Sequence, residues 1–304
     1  MNEVPPWLWI VITLVAAGAQ TMRNAMQRGL IGEIGTVAAT HVRFLFGLPF
    51  VVLAALAVMA VTGKALPLPT GTGLAWTLFG AVSQIGGTAL LLAAMRERSF
   101  VVAIAYSKLE PLMVALFGLA FLGELLTPAM ALAVLVATAG VMVTGWPANA
   151  AGMLLSRRSI AFGVGSAALF AMASVGYRGA IVVMPDVGFV VRATTTLLYA
   201  IIIQTALLTI WLALRDREKL VAMAKAWRQS LLAGFLGAFA SELWFLAFAI
   251  EQVARVRTLA LVEILYGYVL TRRMFSEGVS AREMIGMAMV VAGVALLLNL
   301  PRPV

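Results

Sequence analysis

The sequence predicts an all-α membrane protein with about ten transmembrane helices, arranged as two inverted repeats of five helices. Three observations predict it: the composition, ten long apolar segments and an internal repeat. Of the 304 residues, 62% are hydrophobic and only 12% are charged, whereas a soluble domain carries about 25% charged residues. A globule of this size has too much surface for so few polar side chains to cover. We therefore expect the excess apolar surface to face lipid.

Ten segments are long and apolar enough, or nearly so, to cross the hydrocarbon core, which takes roughly 17–25 residues of helix. Their apolar residues are continuous rather than alternating at period two, which favours helices over strands. The segments are Trp7–Met26, Thr36–Val61, Leu74–Met95, Phe100–Leu122, Pro128–Trp146, Ile160–Tyr177, Val187–Leu214, Leu231–Ile250, Val256–Phe275 and Met284–Leu300.

The two halves of the chain share one spacing of polar residues. In each half a glutamate is followed after 14, 17 and 30 residues by a second glutamate, a hydroxyl residue and a glycine. These residues are Glu110, Glu124, Thr127 and Gly140 in the first half and Glu263, Glu277, Ser280 and Gly293 in the second. We therefore divide the chain into a first five-helix repeat, residues 1–147, and a second, residues 148–304. Five helices per repeat insert the second half upside down, an architecture typical of secondary transporters.

At these residues the chain resembles the EamA group of the drug/metabolite transporter (DMT) superfamily. The shared pattern is Glu-Pro in an apolar helix, then Gly-Glu, a hydroxyl residue and a glycine-containing final helix. Here those residues are Glu110-Pro111, Gly123-Glu124, Thr127 and Gly140. The resemblance implies ten helices, no use of ATP, and export of amino acids or other small metabolites, with YddG-like amino-acid exporters as one neighbourhood.

The second half departs from the family pattern at two positions. Ile264 stands where the family commonly has proline, and Ser276 stands where it commonly has glycine. Both departures argue against a break in the ninth helix like the one that Pro111 allows in the fourth.

Polar residues inside apolar segments are candidate functional positions, because an ionisable side chain in the bilayer costs at least about 2.5–3.5 kcal/mol. We expect a substrate cavity between the first, third, fourth, sixth, eighth and ninth helices. Its predicted lining residues are Gln20, Asn24, Gln84, Thr88, Tyr106, Lys108, Tyr177, Ser241, Glu242 and Trp244. On the first helix, one face carries Thr13, Gln20, Asn24 and Gln27. This polar stripe is explained either by a cavity or by hydrogen bonds between helices.

Glu110, Glu263 and His41 are the candidates for proton coupling, and Pro111 is the candidate hinge. Glu110 is explained equally well by coupling and by a structural pair with a basic residue. Lys108 suits either a substrate carboxylate or a structural pair with another helix. His41 suits a proton relay or a hydrogen-bonded structural histidine.

Other charged residues recur in both halves, which favours structural roles. Arg43 and Arg192 are predicted to lie near helix ends or in structural ion pairs. Glu124 and Glu277 each precede a hydroxyl residue, and we expect each to cap the helix that follows it.

Together these features predict a secondary transporter for a small zwitterion or cation, exporting by alternating access, with proton coupling as an option. The alternatives are a carrier of organic phosphates or nucleotide sugars, a channel, and an intramembrane enzyme. An enzyme is disfavoured because HExxH and GxSxG motifs are absent. With no cysteine and one histidine, we expect no metal site and no cofactor.

The expected partners are the lipid bilayer and a small-molecule substrate, with the chain as a monomer or homodimer. No GxxxxGK[ST] motif is present, so ATP is not expected to bind. The net charge of +9 lies mainly between apolar segments, which favours contact with an anionic leaflet over nucleic acid. We place the chain in the bacterial inner membrane as a multi-pass protein. The distribution of basic residues places both termini outside, whereas the family resemblance implies both in the cytoplasm.

Overall fold

The structure is a computed structural model, and it describes residues 4–34, 36–94, 105–145, 157–268 and 280–301. These residues form helices joined by short connections, with no strand among them. In the first half the helices are α1 (Leu8–Ile34), α2 (Thr36–Leu45), α3 (Leu48–Thr62), α4 (Gly71–Ala94), α5 (Glu110–Leu122) and α6 (Pro128–Gly145). In the second half they are α7 (Arg157–Val182), α8 (Phe189–Arg215), α9 (Arg217–Lys225), α10 (Trp227–Ile250), α11 (Val253–Leu259) and α12 (Ala281–Asn299), with a 3-10 turn at Ala260–Val262.

Within the part of the chain that the structure describes, eight helical stretches are long and apolar enough to cross a membrane, and they coincide with eight of the ten predicted segments. They are Val37–Thr62, Gly71–Leu91, Ala105–Leu122, Pro128–Gly145, Arg157–Val182, Phe189–Arg215, Ser230–Ile250 and Ala281–Asn299. The predicted class, a helical membrane protein, is confirmed. The count of ten helices and the inversion of the second repeat stay predictions.

Two predicted segments remain. The first lies in α1, a continuous helix in which the stretch Leu8–Arg23 is apolar. The ninth is divided into α11, the 3-10 turn and the helical residues 263–268, after which it leaves the described residues.

The chain forms two compact units, and each takes segments from both halves of the sequence. Unit 1 contains Met1–Val82 and Gly176–Glu251, and unit 2 contains Ser83–Val175 and Gln252–Val304. The units are groups of packed segments rather than repeats, so the repeat boundary at residues 147 and 148 stays a prediction.

In unit 1, helix α10 packs closely against the junction of α2 and α3. A Cβ atom built on Gly234 would lie 2.5 Å from the carbonyl carbon of Phe46, closer than real contacts allow. Helix α2 also contacts the short polar helix α9. Met223 of α9 packs in an apolar cluster with Val42 and Leu212, and all three side chains are fully buried. Glycine at one contact and apolar burial at the other hold α2 in place.

In unit 2, α6 and α12 approach each other until their backbones touch. A Cβ atom on Gly140 would lie 2.6 Å from the carbonyl oxygen of Gly286, and one on Gly293 would lie 2.6 Å from the amide nitrogen of Ala137. Close crossings through small residues are a common way to associate helices in membranes. Gly140 and Gly293 occupy equivalent positions of the sequence repeat, so each half contributes its repeat-equivalent glycine to the crossing.

Equivalent hydroxyl residues begin these two helices. The Thr127 hydroxyl accepts a hydrogen bond from the Met130 amide at 3.2 Å, at the start of α6. The Ser280 hydroxyl accepts one from the Glu283 amide at 3.2 Å, while the Glu283 carboxylate accepts from the Ser280 amide at 2.9 Å. This second arrangement is a capping box, which satisfies amides that have no partner inside the helix.

The capping box at α12 makes a stability prediction. Ser280→Ala should lower the free energy of unfolding by about 1 kcal/mol, because the Glu283 amide loses its acceptor. Thermal unfolding of the purified protein in detergent measures the effect. Ser280→Asn, which keeps an acceptor, should restore the melting temperature, and an unchanged melting temperature for Ser280→Ala would contradict the assigned role.

Candidate functional site

The fourth predicted helix is interrupted directly before Glu110. The amides of Lys108 and Leu109 donate to the carbonyls of Ala105 and Tyr106, three residues earlier, at 3.1 Å each. Helix α5 then starts at Glu110, with Pro111 in its first turn. Proline has no amide hydrogen and tolerates the first turn of a helix but not its interior. The interruption thus lies where Pro111 predicts it, while movement about this point stays a prediction.

The ninth predicted helix is interrupted at the equivalent place, contrary to the expectation from Ile264. Helix α11 ends at Leu259, and the 3-10 turn Ala260–Val262 separates it from Glu263. No proline or glycine stands in this turn, so the local sequence gives no cause for it. Both repeat-equivalent glutamates therefore follow directly after a break in a membrane helix.

Each of these glutamates forms an ion pair with a base from the other half of the sequence. Lys108 Nζ lies 2.8 Å from Glu263 Oε1, and the Arg257 guanidinium contacts the Glu110 carboxylate. Lys108 also interacts electrostatically with Glu110 and Arg257. We call these four residues of unit 2 the charge quartet. Its net charge is zero, so the cost of removing each charge from water is offset locally.

The quartet contains the structural pairs that are one of the two explanations the sequence offered for Lys108 and Glu110, while substrate binding and coupling stay predictions. Both residues are in structural pairs in this conformation, the lysine with another helix and the glutamate with an arginine. Arg257 is not among the predicted site residues, because a basic residue near the end of an apolar segment is expected to anchor the neighbouring loop. The sequence feature that could have identified Arg257 is its position inside an apolar stretch, six residues before Glu263.

Glu124 caps a helix, but a different one from the helix predicted. Gly123 has a left-handed φ of 67°, which ends α5 and turns Glu124 back towards Gly118. The Glu124 carboxylate then accepts a hydrogen bond at 3.1 Å from the amide of Val253, the first residue of α11. The helix that follows Glu124 is capped by Thr127 instead. The equivalent Glu277 lies outside the described residues.

The predicted cavity residues on α4 are near a close helix contact within unit 2. The Thr88 hydroxyl donates to the Gln84 carbonyl of its own helix at 2.8 Å. Cβ atoms on Gly86 and Gly87 would lie 3.1 Å from the side chains of Leu169 and Phe170, so the helices approach closely at this glycine pair. Tyr106, the remaining predicted residue of this unit, is half-buried in the helical turn before the quartet.

In unit 1, Gln20 of the polar stripe on α1 contacts α10. Trp244 Nε1 donates to Gln20 Oε1 at 3.1 Å, and the Trp244 ring stacks on Phe248 with 6.4 Å between ring centroids. Thr13 is fully buried. The Gln20 contact is the interhelical hydrogen bond that the sequence left as one of two explanations. The side chain of Asn24, predicted beside it, lies outside the described residues.

Tyr177 is a buried residue at the centre of another contact of unit 1. Gln204 Nε2 donates to the Tyr177 hydroxyl at 3.0 Å, and the ring packs against Phe245 with 4.6 Å between centroids. Arg43 interacts electrostatically with the same hydroxyl. Gln204 was not predicted from the sequence, since a single glutamine in an apolar helix carries no pattern that reveals its partner.

Two arginines lie beside Gly237 of α10. A Cβ atom built there would be 3.5 Å from Arg43 Cβ and 3.6 Å from Arg23 Cδ. The Arg43 guanidinium also lies over the Phe44 ring, 4.5 Å from its centroid, which is a cation–π contact. Glycine at position 237 thus leaves room for two cationic side chains at one point of the helix.

Glu242 is an acidic residue of α10 in unit 1. Its Oε1 accepts a hydrogen bond from the Thr194 hydroxyl. Its Oε2 is buried without a hydrogen-bond partner among the described residues. A carboxyl group with one oxygen satisfied can accept a further donor, such as the ammonium group of a ligand. The neighbouring Ser241 is half-buried.

His41 has a hydrogen-bond partner within unit 1. It is fully buried, and its Nε2 lies 2.9 Å from the Thr209 hydroxyl oxygen. This contact is the arrangement expected of a structural histidine. A role in proton transfer stays a prediction.

Comparison with known proteins agrees with this helical architecture. Residues 6–146, a little under half of the chain, match the EamA-like transporter family. Among solved structures, 29 chains match. One of them, described as "Crystal structure of protein", has a TM-score of 0.68 at 17% sequence identity and covers 95% of this chain and 96% of its own. At that identity the likeness establishes the fold. No curated protein matches the chain.

Proposed function

We propose that the chain is an EamA-type secondary transporter of the DMT superfamily, which exports amino acids or related zwitterions and cations by alternating access. Members of the family that matches residues 6–146 are membrane transporters. The eight apolar helices fit a multi-pass membrane protein, and we assign it to the bacterial inner membrane. A YddG-like export activity is part of this proposal.

The observation that carries the proposal is the charge quartet. Four ionisable residues in two apolar segments are costly to place in a membrane unless they are paired or functional. Here acids and bases stand together beside two helix interruptions. Discontinuous helices with charged groups at the break are a common way for transporters to form substrate and ion sites. Mixed charges suit a zwitterion better than a ligand with one charge.

The repeat supports alternating access. Three sets of equivalent residues have equivalent roles: the glutamates after the breaks, the hydroxyl caps of α6 and α12, and the glycines of their crossing. Two halves whose equivalent residues have equivalent roles can exchange conformations with each other, which is how repeat transporters open alternately to the two sides.

Proton coupling is the second part of the proposal. A proton that binds Glu110 or Glu263 removes the negative charge that holds Arg257 or Lys108. One ion pair would then open for each proton bound. His41, bonded to Thr209, is the third candidate for a group that gains and loses a proton.

One observation favours the alternative substrate class. Arg23 and Arg43 lie together beside Gly237, and arginine pairs are suited to phosphate oxygens. A carrier of organic phosphates or nucleotide sugars would use such a site. Glu242 and the quartet add acidic groups, which do not suit an anionic phosphate, so we rank the organic-phosphate and nucleotide-sugar carriers second.

The test is counterflow into liposomes that contain the purified protein. The panel comprises labelled amino acids, organic cations, sugar phosphates and nucleotide sugars, with and without a pH gradient. Saturable, stereoselective exchange of amino acids is the expected result and would separate a carrier from a channel. Exchange of sugar phosphates alone would replace the amino-acid assignment with the alternative class.

The coupling residue is identified by two matched variants in the same assay. Glu110→Gln and Glu263→Gln change repeat-equivalent positions by the same chemistry. Loss of gradient-driven uptake with exchange retained identifies the coupling carboxyl. If both variants keep gradient-driven uptake, proton coupling does not run through the quartet.

A further inference from the structure

The two ion pairs of the charge quartet contain different bases. Arginine is a rigid planar donor that keeps its proton, whereas lysine is a compact charge on a flexible stem. The side chains of Lys108 and Glu263 are 36% and 21% exposed, against 16% and 14% for Arg257 and Glu110. The lysine pair is therefore the more exposed of the two, and we expect a dissolved ligand to reach it first.

The repeat relates the acids of the quartet but not its bases. Glu110 and Glu263 are equivalent, whereas the position equivalent to Lys108 holds Leu261, and the one equivalent to Arg257 holds Ile104. A purely structural pair repeated in both halves would be expected to use the same base at the same place. Both pairs are asymmetric in this way, and the Lys108–Glu263 pair is the more exposed of the two, so it is the pair at which a ligand would distinguish the two halves.

We propose that Lys108 and Glu263 together bind the charged groups of a zwitterionic substrate, Lys108 its carboxylate and Glu263 its ammonium group. The Glu110–Arg257 pair stays closed beside them. This inference rests on the proposed transport function and assigns the substrate groups that the site takes. When the lysine pair opens and closes on a zwitterion, each charge exchanges one opposite partner for another, and the net charge of the site stays at zero.

The opened pair has no net charge, and this determines which ligands the site prefers. A ligand with one charge replaces the partner of only one of Lys108 and Glu263 and gives the site a net charge, and an uncompensated charge in a site of low dielectric is strongly unfavourable. The site therefore prefers an amino acid to its amide, which is only a cation. It also prefers the amino acid to the matching 2-hydroxy acid, which is only an anion.

Three ligands with the same side chain test this selectivity: the amino acid that the wild-type protein exchanges fastest, its amide and its 2-hydroxy acid. In liposomes, the wild-type protein should transport the amino acid about tenfold faster or more than either analogue. Lys108→Gln should transport the amide faster than the amino acid, because only the acid remains. Glu263→Gln should transport the 2-hydroxy acid faster, because only the base remains.

The neighbouring pair supplies the control. A Glu110→Gln, Arg257→Gln double variant removes the neighbouring ion pair, whose acid is the repeat equivalent of Glu263. Its preference should stay with the amino acid, whatever its rate. Unchanged preference in both Lys108→Gln and Glu263→Gln, or an equal change in the control, would overturn the inference.

A charge-swapped protein keeps the test decisive if a single variant does not fold. Lys108→Glu with Glu263→Lys retains an ion pair and the net charge, so it should still prefer the amino acid. A folded swapped protein that prefers the amide or the 2-hydroxy acid would overturn the inference. Wild-type protein that moves no amino acid overturns the proposed substrate as well, whereas amino-acid transport with unaltered preferences overturns only the assignment of Lys108 and Glu263.

Discussion

Replacing Gly286 by alanine is expected to lower the free energy of unfolding by about 3 kcal/mol, at the upper end of the range for overpacked contacts. A Cβ atom at this position would lie 2.2 Å from the Thr144 hydroxyl oxygen, 2.6 Å from the Gly140 carbonyl oxygen and 2.7 Å from the Thr144 amide nitrogen. Two of these three atoms belong to the backbone of α6, so no change of side-chain rotamer relieves the contact. The helices must move apart.

The measurement is denaturant and thermal unfolding of the purified protein in detergent, with the yield of monodisperse protein as a second readout. Gly145→Ala is the matched control on α6, because a Cβ atom there meets nothing within 4 Å. It should leave stability unchanged or raise it slightly, since alanine favours helix. Equal stability of the Gly286→Ala and Gly145→Ala proteins would mean that the α6–α12 crossing is looser than described.

The sequence predicts the helical membrane class because hydrophobic composition and segment length depend on local residues alone. Glu110 and Glu263 could be identified because the repeat recurs at a fixed interval. Their partners could not be identified in the same way. Which base meets which acid depends on the rotation and depth of two helices more than 100 residues apart, and neither quantity is encoded in residue spacing.

Glu124 shows the same limit for helix capping. A capping residue is expected beside the helix that it caps, because most caps are local in sequence. Glu124 instead reaches the Val253 amide, 129 residues away, after Gly123 has turned the chain back. Thr127 caps the following helix instead, so the local rule assigned the wrong helix to Glu124.

The ninth helix reveals a third limit. Proline gives a clear reason for the interruption before Glu110, and its absence beside Glu263 argued against a second one. The turn at Ala260–Val262 shows that the equivalent break persists without proline. A packed environment can impose a backbone shape that local preferences do not favour. Here the ion pair and the Glu124 cap fix both ends of the segment from Val253 to Glu263.

Replacing Arg257 by glutamine is expected to lower the free energy of unfolding by about 3–5 kcal/mol, because the Glu110 carboxylate then remains buried without its cation. The Glu110 side chain is 14% exposed, so water compensates for little of the loss. Glu110→Gln should also destabilise, by leaving the guanidinium unpaired. The double variant, in which neither charge remains, should be more stable than the Arg257→Gln protein.

A double-mutant cycle on the unfolding free energies measures this interaction, and a coupling energy of about 1–3 kcal/mol is expected for residues in direct contact. The same cycle on Lys108 and Glu263 should give a smaller value, because that pair is more exposed and its charges are better solvated. The comparison bears on mechanism as well as stability. A pair that a substrate or proton must open cannot be the stronger of the two, so a larger coupling at Lys108–Glu263 would assign the fixed role to that pair and the exchangeable role to Glu110–Arg257.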